Sequence, residues 1–330
     1  MKRWMQRVLV VTMAGGLFVC LSRPAPAAAA DRYPTRPVKL LVPFAPGAIV
    51  DVAARIMSES LAKQLGVSVV VDYKGGSGGM IGADAVAKGA PDGYTILTGT
   101  IGPMVFGPIT TPKETPYDVL KDFAPIAYMG ESPTVIFVNA KSPVKTLEDL
   151  IAEAKKRPGK MNAGTIGVGS AAHFMLELIN GSAGIHINHV PFKGGPGPVV
   201  TAVLGEHLDM GFLGSAVAMS HFKAGTLRPL AITSRLAALP GIPTLAEKGF
   251  GSATVSVWAG FLVASKTPKH IQDTLVTAFE RVVKDPEVVA RLEAAGYAVE
   301  YKGPAEFTKI MSEQLSTLGK AAEKVGIVNK

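Results

Sequence analysis

Cysteine is nearly missing: the 330 residues contain one, Cys20. That excludes a disulfide scaffold and any zinc or iron–sulfur site built from several cysteines. Charged residues are also sparse, at 18%, which together with the many glycines argues against a coiled coil. The Lys and Arg residues are scattered rather than grouped in runs, so no nucleic-acid partner is indicated. After Ala30 no apolar run approaches the roughly 20 residues needed to span a bilayer. HExxH, Walker A and CxxC motifs do not occur. The sequence therefore shows no metal site and no cofactor.

What is present is apolar material for large cores, 48% hydrophobic residues, together with 36 Gly and 24 Pro. At roughly 100 to 200 residues per domain this length predicts two domains. The first 30 residues stand apart. Lys2, Arg3 and Arg7 precede an apolar run from Val8 to Leu21, which Pro24 and Pro26 break before Ala27 to Ala30. This is the pattern of a secretory signal peptide over residues 1–30, with cleavage after Ala30. Cys20 follows Val19 rather than a small residue, which argues against a lipoprotein. Loss of Lys2, Arg3, Arg7 and Arg23 reduces the 34 basic side chains to 30 against 26 acidic ones, a net charge of +4. The expectation is a soluble exported protein.

Short β-rich runs alternate with helical patterns along the rest of the chain, the mark of an α/β fold with a parallel sheet and crossover helices. Val38 to Pro43 reads as a buried strand and Ile49 to Leu65 as the following helix, stopped by Gly66. Similar units recur to Thr233. Three late helices, each opened by a proline at 268, 286 or 304, follow the apolar stretch Val255 to Ala264 and are expected to pack on the first lobe. The chain then crosses between lobes twice, near residues 130 and 260, as a hinge of two strands requires. The predicted division is lobe 1 over 31–130 plus 260–330 and lobe 2 over 131–259.

Glycines cluster where strands pass into helices, at Pro46-Gly47-Ala48, Gly75 to Gly79, Gly164 to Gly169 and Gly194-Gly195. In an open α/β sheet ligands sit in the crevice beyond the strand ends, where helix N-termini present unpaired N–H groups to an anion. A helix N-terminus contributes ~0.3 to 1 kcal/mol toward an anion and a charge-assisted hydrogen bond ~1.5 to 3. Micromolar binding needs ~8 kcal/mol, within reach of two opposed loops without an Arg or Lys clamp.

Enzyme motifs compete with this reading. Gly75-Gly76-Ser77-Gly78-Gly79 matches G-x-S-x-G, so a secreted hydrolase using Ser77 is the alternative, although the strand is expected to end at Val71, too early for a nucleophile elbow. Gly167 to Ala172 matches G-x-G-x-x-A, but no acidic residue stands ~20 positions on, as a dinucleotide site requires. His186 and His189 are placed by strand geometry on opposite faces, which favours two ordinary strand-end histidines over a metal pair. His173 lies in the first turn of a helix opened by Ser170, where it either faces the crevice or packs.

The segments YPTRPVKLLVPFAPGAIVDVAARI (33–56), VVVDYKGGSGGMIGADAVAKGAPDGYTIL (69–97), PYDVLKDFAPI (116–126), NAGTIGVGSAAHFMLELI (162–179) and VPFKGGPGPVVTAVLGEHLDMGF (190–212), together with GTLRPLAITS (225–234) and IPTLAEKGF (242–250), resemble the Bug-type, or tripartite tricarboxylate transporter, substrate-binding proteins. The resemblance covers essentially the whole chain after residue 30. It implies a periplasmic-binding-protein type II fold, two α/β lobes joined by a two-strand hinge. It further implies a periplasmic, monomeric, non-catalytic protein that captures a small carboxylate and delivers it to membrane permease subunits, or presents it to a sensor. Carried onto matching positions, it nominates Phe44, Pro46, Gly47, Ala48 and Asp51 in the first loop and Gly164, Thr165, Gly169, Ser170 and His173 opposite. An outer tier comprises Thr98, Thr100, Lys193, Gly194, Gly214 and Ser215. Two departures stand out. Ala48 replaces a usual glycine, which is tolerable at negative φ, and Gly214-Ser215 stands where an Asp or Asn is frequent. Asp51 is expected to brace the first loop rather than meet the ligand.

Overall fold

The computed structural model describes residues 33–324 apart from 169, 193, 194 and 256; the expected signal peptide lies outside the described residues. The chain runs β1 (Val38–Val42), α1 (Ile49–Leu65), β2 (Val69–Tyr73), α2 (Met80–Ala87), β3 (Thr95–Thr100), a π-helical turn (Gly102–Phe106), α3 (Gly107–Thr110), β4 (Phe123–Ser132) and β5 (Thr134–Asn139). It continues with α4 (Leu147–Lys156), β6 (Asn162–Thr165), α5 (Ala171–Ala183), β7 (Asn188–Pro191), α6 (Pro196–Leu204), β8 (Met210–Gly214), α7 (Ser215–Lys223) and β9 (Leu227–Ile232). β10 (Val257–Ala264), α8 (Lys269–Val283), α9 (Pro286–Ala294), β11 (Ala298–Lys302) and α10 (Pro304–Lys324) complete it.

Two sheets result, in the orders β11-β4-β10-β3-β1-β2 and β7-β6-β8-β5-β9, so the α/β class and two-lobe architecture expected from the sequence are the ones found. The sheets are mixed rather than parallel. β1 pairs in parallel with β2 and β3, and β6 with β7 and β8, because each of those connections passes through a crossover helix. β10 lies antiparallel to β3 and β4, and β5 antiparallel to β8 and β9. Strands that carry the chain out of one sheet and back into it run in opposite directions, and this is what breaks the parallel pattern.

Pro133 separates β4 of the first sheet from β5 of the second, and β10 returns beside β4 with Val257 opposite Ser132. The crossing is tied by Thr134, whose hydroxyl donates to the Val255 carbonyl at 2.9 Å and whose N–H donates to Thr233 Oγ1 at 3.0 Å. A second tie lies beside it. Ser215 donates its hydroxyl to the Gly296 carbonyl at 2.5 Å, and its N–H donates to the Pro133 carbonyl at 2.7 Å. Gly296, at φ +99, has no room for a side chain, since a Cβ there would lie 2.9 Å from the backbone of Ala216.

The first-lobe core gathers around Trp258 and Phe307, whose rings meet edge to face with centroids 5.1 Å apart. α5 belongs to the second lobe by sequence yet is shared between cores. Ala172, Met175 and Ile179 pack on the second sheet, whereas Ala171 and Phe174 join the first-lobe cluster. The Phe174 ring stacks on Phe106 of the π-helical turn, centroids 4.5 Å apart. The π-helical turn, of a kind found often at functional sites, was not legible in the sequence.

Candidate functional site

β1 ends at Val42 and the exposed tip Ala45-Pro46-Gly47 leads into α1. Gly47 adopts φ +87, a conformation L side chains rarely take. Ala48, at φ −66 and ψ 157, is the N-cap without a side-chain cap, so its Cβ causes no strain. Phe44 packs against the next glycine loop; a Cβ on Gly79 would lie 2.9 Å from the Phe44 ring. The N–H groups of Asp51 and Val52 bond the Ala48 carbonyl, while those of Ile49 and Val50 find no acceptor among the described residues.

Asp51 braces this loop. Its carboxylate is wholly buried and accepts from the Gly47 N–H at 2.7 Å, the Arg55 guanidinium at 2.7 Å and the Tyr73 hydroxyl at 2.8 Å. The Gly47 N–H is thus taken by Asp51, and the donors left for a ligand sit one and two residues into the helix. Arg55 also offsets a negative charge that would otherwise repel an anion at the helix start. Tyr297, fully buried, donates its hydroxyl to the Ile49 carbonyl and anchors the same turn to the chain's far end.

The second lobe offers a similar helix start. Ser170 caps α5, accepting from the His173 N–H at 3.3 Å and donating its hydroxyl to the Gly167 carbonyl at 2.8 Å. Ala171 and Ala172 leave N–H groups without an acceptor among the described residues. Both starts lie at the junction of the lobes: the Ile49 side chain crowds Gly214 of the second lobe, where a Cβ would meet it at 2.3 Å, and Ala171 packs into the first-lobe cluster. Thr98 and Thr100 are buried, and their hydroxyls have no partner among the described residues. Such groups are uncommon in folded proteins.

Several expected contacts are placed differently. Gly164 is a sheet residue closed over by Leu208 and Val199, so that a Cβ would lie 2.5 Å from Leu208; it serves packing of α6 on the sheet. Ser215 forms the inter-lobe tie described above, with its side chain buried, because that helix start abuts Gly296 rather than open cleft, and Gly214 is closed over by Ile49. Gly169, Lys193 and Gly194 lie outside the described residues. Ser77 is exposed at φ 46, and no histidine bonds its hydroxyl among the described residues. Sequence reasoning missed Arg55, Tyr73 and Tyr297, and treated His189 as ordinary.

Thr165 is buried and its hydroxyl is engaged by His189 Nε2 at 2.6 Å and the Gly167 N–H at 3.2 Å. The His189 ring stacks on His173 with centroids 4.0 Å apart. Burial, and then the His173 ring, push the His189 imidazole down to about 4, and burial lowers His173 as well. The unfolded chain protonates His189 near the ordinary ~6.5, so between about 6.5 and 4 it binds more protons than the folded one. Unfolding free energy is therefore expected to fall as pH drops through that window, with no contribution from this group above it. Urea denaturation at pH 7.5 and 4.5 with His189→Gln checks this; an equal pH loss in both proteins would remove His189 as the cause.

Elsewhere a cavity of about 540 Å³, lined by Lys141, Glu153, Arg157, Glu206 and Asp209 among others, touches none of these residues. Among the described residues no cluster of three or more His, Cys, Asp or Glu is placed to hold a metal, and no helix is long and apolar enough to cross a membrane.

Comparison with known proteins places this geometry. The model of the tripartite tricarboxylate transporter family receptor matches residues 53–327. Protein BugT of Bordetella pertussis is 36% identical over 295 residues, 88% of this chain and 89% of its own. Among solved structures, the periplasmic binding protein BugD superposes with a TM-score of 0.82 at 29% identity, over 90% of this chain and 100% of its own. Rpa4515 of R. palustris, solved with adipate, gives 0.83 at 28%, over 89% and 98%. MatC of Rhodopseudomonas palustris, with bound malate, gives 0.79 at 27%, over 88% and 99%. Coverage of nearly the whole chain by both the family model and full-length relatives is decisive: the chain belongs to the tripartite tricarboxylate transporter receptor family of periplasmic solute-binding proteins.

Proposed function

We propose that this protein captures a small carboxylate between its lobes in the periplasm, after removal of residues 1–30, and hands it as a monomer, without catalysis, to permease subunits of a tripartite tricarboxylate transporter. Lobe 1 is then 31–130 plus 260–330 and lobe 2 is 131–259, the end of β4 and the start of β10, Trp258 included, forming the hinge on the first-lobe side. The observation that carries the reading is the pair of helix starts at the lobe junction, α1 and α5, each with two N–H groups lacking an acceptor among the described residues. Backbone donors at helix N-termini suit a carboxylate because partial positive charge is concentrated there. Adipate and malate in the related structures are carboxylates of the expected size. The buried hydroxyls of Thr98 and Thr100 supply neutral contacts to the ligand beyond the carboxylate.

Thermal unfolding of ligand-stripped protein against mono-, di- and tricarboxylates, adipate and malate included, tests the reading. A ligand at 100 times its dissociation constant adds ~2.7 kcal/mol to stability, a shift of several degrees. A panel in which uncharged solutes raise the transition and no carboxylate does would overturn it.

A further inference from the structure

The start of α5 is held by a closed circuit of contacts. His189 Nε2 meets Thr165 Oγ1 at 2.6 Å, and Thr165 Oγ1 accepts from the Gly167 N–H at 3.2 Å. The Gly167 carbonyl accepts from the Ser170 hydroxyl at 2.8 Å, Ser170 Oγ caps the His173 N–H at 3.3 Å, and the His173 ring returns to His189 by stacking at 4.0 Å with 17° between the ring planes. Gly167 and Ser170 at the helix cap are thus linked, through Thr165 and through His173, to a ring contributed by β7, the neighbouring strand. We propose that His189 is a positioning residue of the cleft: as a neutral imidazole it clamps the start of α5 through Thr165 and through its stack on His173, and protonation of the pair releases that clamp.

The physical reason is the stack itself. Two neutral imidazoles face to face at 4.0 Å are compatible, whereas a cation introduced into a half-buried stack loses hydration, and a second cation meets the first at contact distance. Among the described residues, the charged groups facing the pair do not cancel this. Glu177, on α5, has its carboxylate 3.8 Å from His173 Nε2, beyond hydrogen-bond length, and burial raises its own pKa so that it too loses charge on acidification. His186, on the approach to β7, is exposed and acts on Glu177. β6 contributes the neutral Thr165. The consequence for ligand capture rests on the carboxylate reading above, whereas the clamp itself does not.

Ring and amide NMR of the ligand-free protein tests the clamp directly. His173 and His189 are expected to titrate below the ordinary imidazole range, and the Gly167 and Ser170 amide signals are expected to move with them between pH 6.5 and 4. In His189→Gln those amides should stay still across the same window, and in Thr165→Val, which keeps both rings, the Gly167 amide should no longer follow the ring titration. His189 titrating at 6.5 or above, or amide movement unchanged in the variants, overturns the proposal. If His189→Gln does not fold, the wild-type titration and Thr165→Val decide. Calorimetric titration with adipate and malate at pH 7.5 and 4.0 then separates the two readings. Between these pH values wild type should lose about twofold more affinity than His189→Gln, the factor for a ligand that binds only the neutral form of a group titrating at about 4, the variant correcting for protonation of the ligand. Equal pH sensitivity in both proteins defeats the link to capture. Absence of binding to either acid at pH 7.5 counts against those ligands, leaving the clamp to be judged by the ring titration.

Discussion

Phe174→Ala should lower the free energy of unfolding by about 3 to 5 kcal/mol, the range for truncating a fully buried Phe. Phe174 has no exposed surface and stacks on Phe106 across the boundary between lobes, with Ala171 beside it in the same apolar cluster. Removing the ring empties a space walled by residues of both lobes, and a rigid π-helical turn on one side and a helix start on the other cannot close on it. Phe106→Ala should cost a similar amount. The double variant should fall short of the sum by about 0.5 to 1.5 kcal/mol, the direct ring–ring contribution. Chemical denaturation of the four proteins supplies these numbers. A loss below about 1 kcal/mol for Phe174→Ala would mean that the ring does not join the lobes. Phe174→Leu should recover much of the stability, since it refills most of the volume.

Asp51→Ala should lower stability by about 2 to 4 kcal/mol and abolish carboxylate binding in the same protein. The carboxylate satisfies the Gly47 N–H, the Tyr73 hydroxyl and Arg55 from a wholly buried position, and a hydrogen bond to a charged group contributes about 1.5 to 3 kcal/mol. Gly47, Tyr73 and Arg55 all reach solvent, which limits the loss. Binding suffers more than stability, because Gly47 at φ +87 forms a turn whose one side-chain restraint among the described residues is Asp51, and the N–H groups of Ile49 and Val50, without an acceptor among the described residues, follow directly after it. Tyr73→Phe should cost only about 1 kcal/mol and weaken binding mildly. Arg55→Ala should fall between the two. Binding retained in Asp51→Ala, measured calorimetrically with a carboxylate that stabilises the parent, would show that the loop holds its shape unaided and that the brace is not part of recognition.

Much of the fold was legible because local rules decide it. The strand at Val38 to Val42, apolar but for Lys39, the Gly66 stop of α1 and the prolines opening α9 and α10 behave as their residue types demand. The glycine at 47 and the tolerance of Ala48 also followed from backbone preference alone. The antiparallel hinge strands did not, because strand direction depends on which strand the chain returns beside. The burial of Phe106 was not legible either, since Phe174, 68 positions on, stacks over it.

Periodicity and glycine placement within a few residues fix the α/β class, the places where strands hand over to helices, and therefore where main-chain N–H groups are left over. Tertiary structure alone decided which of those groups remain open. Asp51 takes one at Gly47, while Pro133 and Ser132 take those at the start of α7. α1 and α5 keep theirs. A hydrogen-bond donor is consumed by whatever acceptor the fold brings within 3 Å, and the acceptors at α7 come from residues more than 80 positions away, a separation no local pattern encodes.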